Sequence, residues 1–182
     1  MKALLIVDVQ NDFCAGGTLA VPDGEKVVPV INKIMDRFSV VIASKDWHPE
    51  KTRHFTKWPV HCVQNTYGAA FHPQLDEEKI QEVFLKGMGT EDDGYSAFEA
   101  TSNNLEQYLR SRNITDLYVC GLATDYCVLS SALDAHKKGF NVLAIEDAIR
   151  GVDVVKGDVE RAIEEMKHNG IVFIQSDQVP LN

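Results

Sequence analysis

The sequence predicts an α/β fold of three layers, in which helices cover both faces of a six-stranded parallel sheet. Two observations predict it. Short runs rich in Leu, Ile and Val alternate with stretches of helical period, the order that builds successive βαβ units. Several of those runs are apolar without interruption, as strands buried on both faces must be. With 182 residues, 45% of them hydrophobic, the chain can bury one sizeable core. Residues 1–182 read as one domain, without repeats, low-complexity tracts or an internal linker.

The first strand is read at residues 2–8, a run of Leu, Ile and Val that ends on Asp8. Residues 9–23 form a loop with turn chemistry at Gly16-Gly17 and Pro22-Asp23. A helix is expected over 24–38, because Val27, Val28, Ile31, Ile34 and Met35 share one face. The second strand is 40–44. Residues 45–75 show little periodicity, which in a compact domain marks a functional loop. The third strand is 82–85, followed by a loop whose acidic run Glu91-Asp92-Asp93 reads as solvated rather than as a gate. A helix follows over 102–112. Leu117 to Cys120 make a fourth, wholly apolar strand, which Gly121 is expected to break. Thr124 or Asp125 then caps a helix running to about Lys138, with Cys127 in its first turn. A strand at 141–145, a helix at 158–169 and a strand at 171–174 complete the pattern.

The net charge of -9 argues against nucleic acid or an anionic membrane as the main partner. No run approaches the length of a membrane span. Residues 1–8 end in a charge and lack a cleavage site, so they read as a strand and not a signal peptide. A cytoplasmic protein is expected, with Cys14, Cys62, Cys120 and Cys127 as thiols rather than a disulfide framework.

Ligands of doubly wound sheets bind beyond the carboxyl ends of the strands. The residues with useful chemistry fall at those ends: Asp8 after the first strand, Asp46 and His48 after the second, Lys86 after the third and Cys127 after the fourth. Alone, Cys127 reads as a buried structural cysteine, Asp8 as a turn acid and Lys86 as a surface lysine. Together they form a set that nucleophilic catalysis uses. A thiol at a helix N-terminus is shifted toward thiolate, a carboxylate moves its proton, and an ammonium holds both anions in place. The backbone N–H groups of the same turn suit an oxyanion. Asp46, His48, His54 and His61 lie in one loop, and a carboxylate with several imidazoles suits zinc, iron or manganese. The alternative is a loop of merely polar histidines. Phe13, Trp58, Tyr95 and Tyr126 fall in loops at the same rim and would line a pocket for a small flat ligand, unless they are ordinary core aromatics.

Several separate blocks carry a resemblance that spans essentially the whole chain. They are Val7-Asp8-Val9-Gln10-Asn11-Asp12-Phe13, Ser44-Lys45-Asp46-Trp47-His48-Pro49, Trp58-Pro59-Val60-His61-Cys62-Val63, Lys86-Gly87, Tyr95-Ser96-Ala97-Phe98 and Gly121-Leu122-Ala123-Thr124-Asp125-Tyr126-Cys127. With these the sequence resembles the nicotinamidases (pyrazinamidases) among the isochorismatase-like cysteine hydrolases. The resemblance implies an isochorismatase-like fold and hydrolysis of nicotinamide to nicotinate and ammonia in NAD salvage, with pyrazinamide also cleaved. It implies a catalytic triad of Asp8, Lys86 and Cys127. It also implies one divalent metal, zinc before iron or manganese, held by Asp46, His48, His54 and His61 and reached by the pyridine nitrogen of the substrate. A cis peptide between Leu122 and Ala123 would accompany an oxyanion hole made by the N–H groups of Ala123 and Cys127. Tyr126 stands where some relatives carry histidine. Two competing readings are another hydrolase of the superfamily, acting on an N-carbamoyl amine or isochorismate, and a non-catalytic binding module. Whether the chain forms a homo-oligomer stays open.

Overall fold

Residues 1–181 are described by the computed structural model. Six strands form one sheet: β1 (Lys2–Val7), β2 (Val40–Asp46), β3 (Glu82–Lys86), β4 (Asp116–Leu122), β5 (Asn141–Arg150) and β6 (Val172–Ile174). Their order is β3-β2-β1-β4-β5-β6, and every neighbouring pair is parallel. From β1 the chain steps outward to β2 and β3, then crosses back to lay β4 on the other side of β1. The strand order reverses between β1 and β4, so a crevice opens at their carboxyl ends.

Alternation along β1 divides the core. Leu4 and Ile6 pack with Val27, Val28, Ile31 and Ile34 of α1 (Val27–Ile34) on one face. Ala3, Leu5 and Val7 pack on the other face with Leu105 and Leu109 of α2 (Leu105–Ser111), Ala132 and Ala135 of α3 (Leu129–Lys137), and Met166 of α4 (Asp158–His168). Each fully buried Leu or Ile side chain contributes roughly 1.5–3 kcal/mol relative to exposure, so both faces of the sheet are held by the same term. No helix among the described residues is long and apolar enough to cross a membrane.

The three-layer parallel fold expected from the sequence is present, and its boundaries differ in instructive ways. The helix expected over 24–38 is α1 flanked by 3₁₀ turns at Gly24–Lys26 and Met35–Arg37. α2 begins later than expected because the Asn104 side chain caps it, accepting from Gln107 N–H at 2.9 Å. β2 runs past Ser44 to Asp46, since β3 offers partners for Lys45 and Asp46 at Leu85 and Lys86. Gly121 does not end β4, which continues to Leu122. Its φ of 110° and its place against the Val7 backbone, where a Cβ would collide, show the actual need for glycine. The β4–β5 register shifts between Val119 and Gly121.

Candidate active site

Lys86 ends β3 fully buried, and its ammonium sits among three potential anions. Nζ lies 2.8 Å from Asp8 Oδ2 and 3.4 Å from Cys127 Sγ, and donates to Gly94 O at 2.7 Å and to Asp46 Oδ1. Parallel pairing creates this convergence, because Asp46 is the register partner of Lys86 and Val7 pairs with both Ser44 and Gly121. Asp8 leaves the strand with φ 48°, and its Oδ1 accepts from Ser44 Oγ at 2.7 Å. Asp8 Oδ2 is buried with no hydrogen-bond donor aligned on it, although the ammonium is close.

The charge balance decides who holds protons here. Burial pushes the Asp8 carboxyl up, and Lys86 only partly opposes it. Burial also pushes Asp46 up, but the Lys86 ammonium holds it well below the usual carboxylate range. Burial would strip Lys86 of its proton, yet Asp46 and Asp8 together keep it charged. Burial pushes the Cys127 thiol well up; Lys86 pulls it down, and Asp8 and Asp46 push it up again. Burial and the neighbouring Asp8 and Asp46 carboxylates thus oppose the thiolate that helix position favours, while the Lys86 ammonium supports it.

The turn that presents Cys127 also differs from expectation. Thr124–Val128 form a π turn ahead of α3, and Cys127 lies in that turn rather than in an α-helix. The Ala123 carbonyl accepts from both Tyr126 N–H and Val128 N–H at 3.1 Å, which widens the backbone around the thiol. The Leu122–Ala123 peptide is cis, as the resemblance implies.

Beside this group lies a cluster of three imidazoles. One ring nitrogen from each of His48, His54 and His61 lies within 4.8 Å of the others, and all three side chains are buried. The Nδ1 atoms are engaged elsewhere: His48 with Gly87 O at 2.9 Å, His54 with Asp92 Oδ1 at 2.8 Å and His61 with Pro59 O at 2.7 Å. Each acceptor fixes the proton on Nδ1 and leaves Nε2 as a lone pair. His48 Nε2 is buried without a partner. Asp46 Oδ2 lies 3.5 Å from His48 Nε2 and 3.7 Å from His61 Nε2, while its other oxygen serves Lys86. Three imidazole nitrogens and one carboxylate oxygen around an orphaned donor atom fit a divalent cation. Asp8, Asp46 and Cys127 also come within 4.8 Å of one another, but the Lys86 ammonium already occupies their midst.

One pocket joins the two groups. Cys127 and Ala123 lie on its wall with Asp46, His54 and His61, and Phe13, Trp58, Tyr95 and Tyr126 supply the aromatic lining. Trp58 Nε1 donates to Tyr95 Oη at 3.1 Å, and the Trp58 and Tyr126 rings meet edge-on at 4.9 Å. Of the candidate site residues, Asp46, His54, His61, Ala123, Cys127 and the four aromatics line this pocket, and Asp8, Lys86 and His48 contact that lining from behind.

The sequence profile of the isochorismatase domain matches residues 2–178. The chain belongs to the isochorismatase family. It is 43% identical to the nicotinamidase of Escherichia coli, over 93% of this chain and 92% of that protein. The pyrazinamidase of Pyrococcus horikoshii, solved in complex with zinc, superposes with a TM-score of 0.86 at 42% identity, covering 96% of this chain and 98% of that one. PnC1 from L. infantum, solved in complex with nicotinate, gives a TM-score of 0.90 at 36% identity, covering 97% and 93%.

Three residues of this isochorismatase-family chain have supporting roles that the sequence does not show. Gln10 is buried and clamps the Asp46 peptide, donating Nε2 to Asp46 O at 2.8 Å and accepting Asp46 N–H on Oε1 at 2.9 Å. Asp125 accepts from Val152 N–H and Asp153 N–H, both at 2.9 Å, and so brings Val152 onto the pocket wall. Asp92 corrects the reading of its acidic run as a solvated loop, since its carboxylate bonds His54 and Tyr95. The Lys57 ammonium first, then His54 and Tyr95, hold that carboxyl at about 2 against the opposing effect of burial. Glu91, by contrast, pairs with Arg53 in solvent.

Proposed function

We propose that this chain is a metal-dependent cysteine amidohydrolase that converts nicotinamide to nicotinate and ammonia, and that also cleaves pyrazinamide. The observation that carries the reading is the sharing of one aromatic-lined pocket by Cys127 and the imidazole cluster. A flat ring between Phe13, Trp58, Tyr95 and Tyr126 can present a carboxamide to the thiol and a ring nitrogen to the cluster. The names of the relatives reported above support this substrate class.

Asp8, Lys86 and Cys127 carry the chemistry in this reading. Asp8 Oδ2 takes the Cys127 S–H proton as sulfur attacks the carboxamide carbon, and a C–S bond forms. The Ala123 and Cys127 N–H groups receive the oxyanion. Asp8 returns the proton to nitrogen, the C–N bond breaks and ammonia leaves a thioester. Asp8 then takes a proton from a water molecule that attacks the thioester. The C–S bond breaks, the sulfur regains its proton from Asp8, and the acid departs, giving its remaining proton to solvent to become nicotinate. Lys86 stays charged throughout and holds the two anions apart from bulk water. Asp46, His48, His54 and His61 would hold a divalent cation, and the donor set and the zinc-bound relative favour zinc over iron or manganese. When bound, that ion supplies a Lewis-acid centre that anchors the ring nitrogen. The substrate is a small molecule, and a cytoplasmic setting within one domain completes the proposal.

Steady-state ammonia release from a substrate panel tests it. Nicotinamide and pyrazinamide are expected to be cleaved, and benzamide, which lacks the ring nitrogen, at least about 100-fold less efficiently in kcat/KM. A preference for N-carbamoylsarcosine over nicotinamide would replace this reading with that of a carbamoyl-amine hydrolase.

A further inference from the structure

The acidic loop after β3 contains a carboxylate with an unusual set of neighbours. Asp92 Oδ1 accepts from His54 Nδ1 at 2.8 Å and from Tyr95 Oη at 3.0 Å, and Oδ2 pairs with the Lys57 ammonium. Tyr95 Oη in turn accepts from Trp58 Nε1 at 3.1 Å. One carboxylate therefore connects a member of the imidazole cluster to two aromatic walls of the pocket. Glu91, next to it, does nothing of the kind and points to Arg53 at the surface.

Each of the three imidazoles has an acceptor on Nδ1, but they are not equivalent. His48 and His61 bond to the backbone carbonyls of Gly87 and Pro59, which no substitution of their own side chains removes. His54 alone depends on a side chain, and on one that carries a full charge. A carboxylate on Nδ1 fixes the ring's tautomer and makes its Nε2 a more basic ligand than a carbonyl partner does. His54 also sits in a short 3₁₀ turn of Arg53–Thr56, without a strand to hold it, whereas His48 is bridged to Val63 close to the end of β2. The turn holds the His54 backbone, with its N–H on Thr52 Oγ1 and its carbonyl accepting from Lys57 N–H and Trp58 N–H, each at 3.2 Å, and Asp92 fixes the ring.

We propose that Asp92 is the positioning residue of the metal site, orienting His54 toward the cation and tying that ligand to the Tyr95–Trp58 wall of the pocket. The proposal rests on the reading of the imidazole cluster as a divalent-metal site. Because Asp92 acts through His54, its contribution to cation affinity exists only while His54 is present. Because it also holds Tyr95, an aromatic ligand in the pocket and a cation on His54 favour the same arrangement and strengthen each other's binding.

Competition against a calibrated chelator with Zn²⁺ measures this on the full-length protein, for the wild type, Asp92→Ala, Asp92→Asn, His54→Ala and the double variant. Asp92→Ala is expected to weaken Zn²⁺ binding by about 10- to 100-fold. Asp92→Asn keeps an oxygen acceptor without the charge and falls between the two. In the His54→Ala background, Asp92→Ala is expected to change affinity by less than about twofold. The thermal midpoint of the metal-free Asp92→Ala protein serves as the folding control and should match the metal-free wild type. An unchanged affinity in Asp92→Ala, or an equal loss with and without His54, would overturn the role of Asp92 while leaving the metal site intact. A wild type that binds no Zn²⁺ would overturn the metal site itself, and this proposal with it.

Discussion

Cys127→Ala is expected to lower ammonia release from nicotinamide by about 10⁴-fold or more, because removing a covalent nucleophile disables the groups that act with it. The fold should survive the change. Cys127 is nearly buried, but alanine differs from it by a single sulfur and occupies the same π turn without strain. The relevant comparison is single-turnover ammonia release beside circular dichroism of the same sample. Loss of release with a native spectrum fits a thiol nucleophile. Near-normal release from the variant would mean that sulfur takes no part, and the pocket would have to work by activating water directly.

Lys86→Met is expected to produce the largest stability loss of any single substitution at the site. Methionine fills much of the lysine's volume, so packing alone changes little. What changes is that Asp8 and Asp46, both buried, lose the cation between them. Removing one partner of a buried ion pair costs about 3–5 kcal/mol, because it leaves uncompensated charge in the interior. Urea unfolding at neutral pH measures it. Arg53→Met provides the contrast: the Arg53–Glu91 pair spans 2.9 Å between side chains 75% and 62% exposed, and a loss of less than about 1 kcal/mol is expected. Equal losses in the two variants would show that Lys86 is not the electrostatic centre of the site.

Much of this could be read from the sequence because a parallel sheet translates sequence into position with few free choices. A strand buried on both faces is a run of apolar residues, and whatever follows it lies at the rim. Asp8, Asp46, Lys86 and Cys127 were therefore legible as a group, and three histidines in an aperiodic loop after β2 were legible as candidate ligands. Other features depend on pairing across the fold. Lys45 and Asp46 are too polar to announce a strand, yet the register with β3 makes them one. Gly121 has the local signature of a break, and only the approach of Val7 reveals it as a close-packing glycine. The acidic run 91–93 looks like any solvated loop, because the partner of Asp92 lies 38 residues away along the chain. The surroundings of Cys127 are illegible for the same reason: helix position favours thiolate, while the burial and the Asp8 and Asp46 carboxylates that oppose it meet the thiol only in three dimensions.

The central claim is that a thiol and a metal-binding cluster act on one substrate in one pocket. Ammonia release from nicotinamide by the purified protein tests it most directly, measured as isolated, after removal of metal with a chelator, and after adding back zinc, iron or manganese singly. The account expects release that disappears with the metal and returns with at least one of the three. Undiminished release from verified metal-free protein would contradict it, leaving a cysteine hydrolase whose imidazole cluster has no part in turnover.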